Sequence, residues 1–215
     1  MNYGETIAFW YLRLNGFFPL ANLVVHHQRG TPGGSADIDI VAVRLPHVEE
    51  TVGGMADDWD ADRFRDWGLD LRKTLGLLVE VKTGADNAGQ RRNIALSFGR
   101  DRIEYGLKRM GIWPAGGDRF NQICQYLERN ATSGDMDEDF VVGKLLVADR
   151  LPQDPANSYL KLRLSEARDF ILGRIAAYDE KYSDRLRFSD ELIQYMIWDS
   201  RRRQVPRPTN EQAGD

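Results

Sequence analysis

The segment that most constrains the fold is residues 76–83 (GLLVEVKT). Its apolar residues occupy both alternating sides, which predicts a strand that is buried on both faces at the centre of a sheet. Glu80 and Lys82 interrupt this apolar pattern at a spacing of two, so their side chains share one face, roughly 6.6–7 Å apart along the strand. Charged side chains are rarely buried unless they are paired or bind a metal ion. A partly exposed ion pair on an edge strand is the alternative, and the apolar neighbours argue against it.

A second segment, residues 36–43 (ADIDIVAV), has the same kind of anomaly. Asp37 and Asp39 alternate with isoleucines, so both carboxylates lie on one face of a predicted strand. If the two strands are neighbours, these carboxylates meet Glu80 and Lys82. Carboxylates are ligands that Mg²⁺ prefers, and the carbonyl of Val81 could be a further ligand. Because a bound Mg²⁺ polarises a phosphate and lowers the pKa of its water, and a lysine stabilises charge on phosphoryl oxygens, this set is typical of phosphodiester hydrolysis.

The order of the predicted elements favours an α/β fold in which a mixed sheet is flanked by helices. The predicted elements are a helix over residues 3–15, strands over 23–27, 36–43 and 76–83, a broken helical region over 87–130, strands over 140–148 and 159–164, and helices over 166–178 and 190–199. We interpret residues 1–164 as one domain with an acidic insertion at 46–75, residues 165–200 as a C-terminal helical extension, and residues 201–215 as a disordered tail.

Residues 33–43 and 77–82, together with Gly4 and Glu5 in the opening helix, resemble the PD-(D/E)XK nuclease superfamily, which includes the restriction endonucleases. The resemblance implies a restriction-endonuclease-like core of helix, three strands, helix and strand (αβββαβ), which covers residues 3–148. Carried over by position, Asp39 matches the acidic metal ligand of the second strand, and Glu80 and Lys82 match the E-x-K pair. Glu5 resembles the glutamate that some members add as a further ligand.

By this resemblance the chain is a metal-dependent endonuclease that acts on DNA with Mg²⁺ or Mn²⁺. The implied catalytic residues are Asp39, Glu80 and Lys82, and the implied metal ligands are Asp39, Glu80, Val81, Glu5 and Asp37. The chain departs from the family's pattern because the proline before the first aspartate is absent and Ala36-Asp37 stands in its place. Asp37 and Asp39 therefore both remain candidates for the chief ligand, and we favour Asp39. Glu5 is interpreted equally well as a residue that stabilises the positive end of the helix dipole.

Basic residues follow the predicted site and include Arg91, Arg92, Arg100 and Arg102. We interpret Arg91, Arg92 and Arg100 as candidates for contacts with a nucleic-acid backbone, although solvated helix faces explain such residues nearly as well. The alternative function is a catalytically inactive nuclease-fold module that binds partners. The insertion and the C-terminal helices would then be interaction surfaces, and the apolar content of these helices is compatible with a homodimer under either hypothesis.

Composition excludes other classes of site and partner. The net charge of −4 excludes bulk attraction to nucleic acid, so a nuclease of this composition needs a local basic patch. A single cysteine excludes an internal disulfide and a multi-cysteine zinc site, and three histidines disfavour a histidine-rich metal site. No apolar run approaches the ~20 residues that cross a membrane, and no signal peptide is recognisable. We therefore expect a cytoplasmic protein without a membrane partner.

Overall fold

The fold was analysed in a computed structural model, which describes residues 1–23, 38–49, 54–55, 57–84, 97–152, 158–182 and 190–204. The elements along these residues are α1 (Tyr3–Leu14), β1 (Phe18–Leu23), β2 (Ile38–Arg44), α2 (Ala61–Asp66), β3 (Thr74–Lys82), α3 (Arg100–Met110), α4 (Asp118–Leu127), β4 (Phe140–Ala148), β5 (Leu160–Arg163), α5 (Leu164–Ala177) and α6 (Glu191–Gln204). Within these residues no helix is both long and apolar enough to span a lipid bilayer.

The five strands form one mixed sheet in the order β1-β2-β3-β4-β5. β1 pairs antiparallel with β2, and β2 pairs antiparallel with β3. β3 pairs parallel with β4, after a crossover that contains α3 and α4, and β4 pairs parallel with β5. β3 lies at the centre, so the prediction that residues 76–83 form a central strand is confirmed. The prediction of an α/β fold with a mixed sheet flanked by helices is confirmed as well.

The predicted and observed boundaries differ most at two places. The first described strand is β1, Phe18–Leu23, which begins five residues before the strand predicted over residues 23–27; residues 24–27 lie outside the described residues. Gly16 adopts a positive φ of 80° and reverses the chain directly after α1, so the strand begins almost at once. At the other end, α6 continues to Gln204, and residues 201–204 of the predicted disordered tail are helical. Arg201 and Arg203 stabilise this last turn through ion pairs with Asp179 and Asp199, at 2.8 and 2.7 Å.

Each face of the sheet is covered by its own set of helices. Side chains at the odd-numbered positions of β3 pack against α1, α5 and α6 in the larger core. On the opposite face, Leu78 of β3 packs against Ile103 and Leu107 of α3 and against Phe120 of α4. Glu80 and Lys82 lie on this second face, because they share the alternation of Leu78.

The acidic insertion is tied to the body by a buried arginine at the end of β2. Arg44 is fully buried, and its guanidinium donates to the carbonyls of Asn15 and Leu71 at 3.2 and 2.9 Å. The same group lies 4.2 Å from the ring centroid of Trp59, within the range of a cation–π interaction. Phe64 of α2 is also fully buried. The described part of the insertion therefore shares the larger core.

Candidate functional site

Asp39 and Glu80 come together because β2 and β3 are neighbours. Ile40 pairs with Val79 across the two strands, and the adjoining positions in the antiparallel register are Asp39 and Glu80. The Asp39 Oδ2 atom accepts a hydrogen bond of 2.7 Å from the Val81 N–H. The Asp39 carboxylate therefore lies against the backbone of the strand segment that carries the E-x-K pair.

Glu80 is buried, with 4% of its surface exposed, and its two oxygens have different partners. Oε1 accepts a hydrogen bond of 2.6 Å from the Ser97 hydroxyl and contacts the Lys82 ammonium. Oε2 lies 3.7 Å from Nη1 of Arg102. Two cations and a hydroxyl thus compensate the buried charge, as a buried carboxylate requires. The contact with Lys82 also shows that both side chains share one face, as their spacing predicts.

A close helix–strand contact positions Arg102. Gly106 of α3 lies so near the sheet that a Cβ atom there would collide with the side chain of Leu78. Arg102 lies one turn earlier in the helix, about 6 Å along its axis. Glu80 lies two residues beyond Leu78, roughly 6.6–7 Å along the strand. Because these two displacements are similar in length, the packing of Gly106 on Leu78 brings Arg102 over Glu80.

The environment of Asp39 is unfavourable for its own charge. The pKa of Asp39 is raised from 3.8 to about 6, chiefly because burial removes water and then because the charge of Glu80 is close, with a smaller effect of Glu5. The Val81 N–H and the Lys82 ammonium oppose this shift. An acidic group held in its charged form against such opposition marks a point where an added cation would be stabilising.

Glu5 reaches this neighbourhood because α1 begins against the end of β3. A Cβ atom on Gly4 would collide with the Thr83 methyl group and lie 3.0 Å from Val81, so only glycine permits this approach. The carboxylate of Glu5 accepts from the backbone and side-chain amides of Asn2, at 3.0 and 2.6 Å, in a capping box. Glu5 thus stabilises the start of the helix while its charge acts on Asp39.

No protein-family model, curated protein or solved structure matches this chain. The interpretation of the site therefore depends on its own residues.

The structure places the remaining predicted residues as follows. Arg100 begins α3 and lies 3.6 Å from Glu128, in a partly exposed ion pair away from the Glu80 carboxylate. Val81 is a buried residue of β3. Asp37, Arg91 and Arg92 lie outside the described residues. Among the residues that are described, no group of three or more His, Cys, Asp or Glu side chains is arranged to hold a metal ion.

The contacts of Ser97 and Arg102 with Glu80 were not anticipated from the sequence. Arg102 belongs to the basic stretch after the site, but nothing in its spacing distinguishes it from the arginines around it. Ser97 carries no sequence signal that distinguishes it from other serines. The contact of Arg102 depends on where α3 lies over the sheet, which the sequence pattern alone does not specify.

A buried lysine, Lys144, lies on the same face of the sheet. It is opposite Leu78 in the β3–β4 register, two residues before the partner of Glu80. Burial lowers the pKa of Lys144 from 10.5 to about 8, and the charge of Glu128 partly opposes this shift. The Lys144 ammonium is 5.6 Å from the ring centroid of Phe98. This face of the sheet thus carries a cation in its interior in addition to the two at Glu80.

Proposed function

We propose that the protein is a metal-dependent nuclease that hydrolyses phosphodiester bonds, specifically a DNA endonuclease of the PD-(D/E)XK type. The observation that carries the proposal is the buried Glu80–Lys82 pair on the central strand, with the Asp39 carboxylate hydrogen-bonded to the residue between them. The chain order of helix, three strands, helices and parallel strand supports it, because apart from α2, which lies in the insertion between β2 and β3, it agrees with the αβββαβ core that the resemblance implies.

The donor set fits a hard divalent cation. Asp39 and Glu80 provide carboxylate oxygens, and Val81 provides a carbonyl, which are the oxygen ligands that Mg²⁺ and Mn²⁺ accept. Glu5 and Asp37 are the further candidates. The raised pKa of Asp39 agrees with a site that an added positive charge would stabilise. A bound ion would polarise the phosphate and lower the pKa of a coordinated water.

Lys82 has the clearest role among the protein groups. It is the ammonium nearest Glu80 and is partly exposed, with 26% of its side chain accessible. An ammonium at the margin of a buried site can donate hydrogen bonds to the attacking water or to a phosphoryl oxygen that gains negative charge. The buried carboxylate of Glu80 holds Lys82 in position for this task.

The test is cleavage of supercoiled plasmid, linear duplex, single-stranded DNA and RNA by the full chain in Mg²⁺ or Mn²⁺, with EDTA as the metal-free control. We expect cleavage of plasmid DNA by the wild type, and its loss in Glu80→Gln and Lys82→Met, because each variant removes one charge and keeps the side-chain volume. Arg65→Met serves as the matched control, since Arg65 makes a surface ion pair with Asp62 on α2. If Glu80→Gln and Lys82→Met both cleaved DNA as well as the wild type does, the proposed catalytic residues would be refuted.

A nuclease-fold module without catalysis is the second candidate, and two observations favour it. Glu80 already has two cationic partners, so its charge is balanced by the protein alone. In addition, α6 exposes 57% of Tyr195 and 41% of Trp198, and their ring centroids are 5.9 Å apart, as in many interaction surfaces. A folded protein that produces no calorimetric signal with Mn²⁺ would favour the module over the nuclease.

A further inference from the structure

Arg102 contacts Glu80 in a way that leaves its guanidinium able to bind a substrate as well. We infer that Arg102 binds a phosphate of the nucleic acid at this site. In this inference, Arg102 pairs with Glu80 while no divalent cation is bound to that carboxylate. The inference rests on the proposed nuclease function and adds to it a second cationic residue, which competes with the metal ion for one oxygen of Glu80.

The guanidinium of Arg102 contacts Glu80 only loosely. Its 3.7 Å distance to Glu80 Oε2 exceeds the range of a hydrogen bond, whereas Ser97 donates to the other oxygen at 2.6 Å. A guanidinium has five N–H donors in a planar fork that matches phosphate oxygens. Within the described part of the chain, Glu80 is the one acidic partner of Arg102. Most of its donor capacity is therefore not used by Glu80.

Arg102 lies at the margin of the site. Its side chain is 19% exposed while that of Glu80 is 6% exposed, so Arg102 is more accessible to solvent than the carboxylate. It belongs to the first turn of α3, an 11-residue helix whose N-cap, Gly99, provides no side-chain hydrogen bond. The positive end of the helix dipole thus lies in the same turn as the guanidinium, and both favour an anion.

The two oxygens of Glu80 have different partners. Oε1 accepts from Lys82 and Ser97, and Oε2 contacts only Arg102 among the described residues. Oε2 is therefore the oxygen at which Arg102 would compete with a divalent cation. Removal of the Arg102 charge should strengthen cation binding and weaken productive substrate binding. A purely structural arginine would weaken both, so the opposite signs distinguish the two roles.

The experiment combines calorimetric titration of the DNA-free protein with Mn²⁺ and steady-state cleavage of a duplex in Mn²⁺. The variants are Arg102→Met, which removes the charge, Arg102→Lys, which keeps it, and Arg65→Met as the control for loss of one surface charge. For Arg102→Met we expect Mn²⁺ to bind about three- to tenfold more tightly because a competing cation is gone. We also expect kcat/KM to fall about tenfold or more because a charge-assisted contact is lost. Arg102→Lys should recover part of kcat/KM, and Arg65→Met should change neither quantity.

Mn²⁺ affinity that is unchanged or weaker in Arg102→Met would overturn the inference, and so would unchanged kcat/KM. If the wild type binds Mn²⁺ and cleaves DNA, either of these results leaves the proposed function intact. A wild type that neither binds Mn²⁺ nor cleaves refutes the proposed function itself. Circular dichroism checks the folding of each variant, and Arg102→Gln provides a second neutral variant. Unfolding of both neutral variants would assign Arg102 a structural role and overturn the inference.

Discussion

Replacement of Asp39 by asparagine should make the protein more stable at neutral pH while removing its proposed activity. The carboxylate is partly buried beside Glu80, and both effects raise its pKa, so its charge opposes folding. Asparagine has nearly the same shape, and its carbonyl oxygen can still accept the hydrogen bond from the Val81 N–H. The substitution therefore removes an unfavourable charge without removing the contact that holds the side chain.

The size and the pH dependence of this effect follow from the pKa. A rise from 3.8 to about 6 sets an upper limit of about 3 kcal/mol, which screening of this partly exposed group reduces to about 1–2 kcal/mol. The folded state holds the proton more tightly than the unfolded state. The cost is therefore fully present above pH ~6 and disappears as the pH falls towards ~4. Each kcal/mol corresponds to a shift of about 2–4 °C in Tm for a chain of this length.

Urea unfolding of wild type and Asp39→Asn at pH 8 and pH 4.5, in EDTA, measures the difference. We expect Asp39→Asn to be more stable at pH 8 and close to wild type at pH 4.5. Asp70→Asn is the matched control, because hydrogen bonds from Arg72 lower the pKa of Asp70 to about 2, and its loss should not stabilise the protein. An Asp39→Asn protein that is less stable at pH 8, or equally stabilised at both pH values, would refute this reasoning.

Two further predictions concern the interior and the surface. Lys144→Met should stabilise the protein by about 1–3 kcal/mol at pH 7, because burial makes the lysine charge unfavourable. Since the folded-state pKa of about 8 lies below the ordinary 10.5, this cost disappears as the pH rises from 8 to above 10. The advantage of Lys144→Met over wild type in thermal melts should therefore shrink over that range; a constant advantage would contradict the assigned cause. If α6 mediates a homodimer, Trp198→Ala and Tyr195→Ala should reduce the mass measured by light scattering, and Tyr126→Ala, an exposed tyrosine on α4, should not. A wild type that is monomeric at all concentrations would exclude that dimer.

The strands at the centre of the sheet were the most predictable part of the fold. β3 and β4 are apolar and rich in branched side chains, because both of their faces are covered, and the prediction for β4 matches its observed bounds. β1 begins five residues before the predicted first strand, and its sequence contains Pro19, a residue type that is depleted in strands. Proline is tolerated in an edge strand, because the N–H that it lacks can be one that would face solvent and not a neighbouring strand. β1 is an edge strand.

The candidate site was predictable only in the part that depends on neighbouring strands. The alternation of side chains along a strand places Glu80 and Lys82 on one face, and the contact between them agrees with it. The contact of Arg102 with Glu80 depends on the close packing of Gly106 on Leu78. In the sequence, a glycine inside a predicted helix indicates only that the helix is less stable at that position. Tertiary packing therefore contributes groups to the site that no local pattern identifies.

The guanidinium of Arg44 makes the acidic insertion costly to delete. Arg44 ends β2, one of the two strands that form the site, and its guanidinium contacts a carbonyl and an indole ring from the insertion itself. A shortened protein that lost Leu71 and Trp59 would leave this cation in the interior without those partners, which proteins tolerate poorly. Truncation at this point would therefore disturb the strand that holds Asp39, so homologues or engineered forms with a short loop here would need an uncharged residue in place of Arg44.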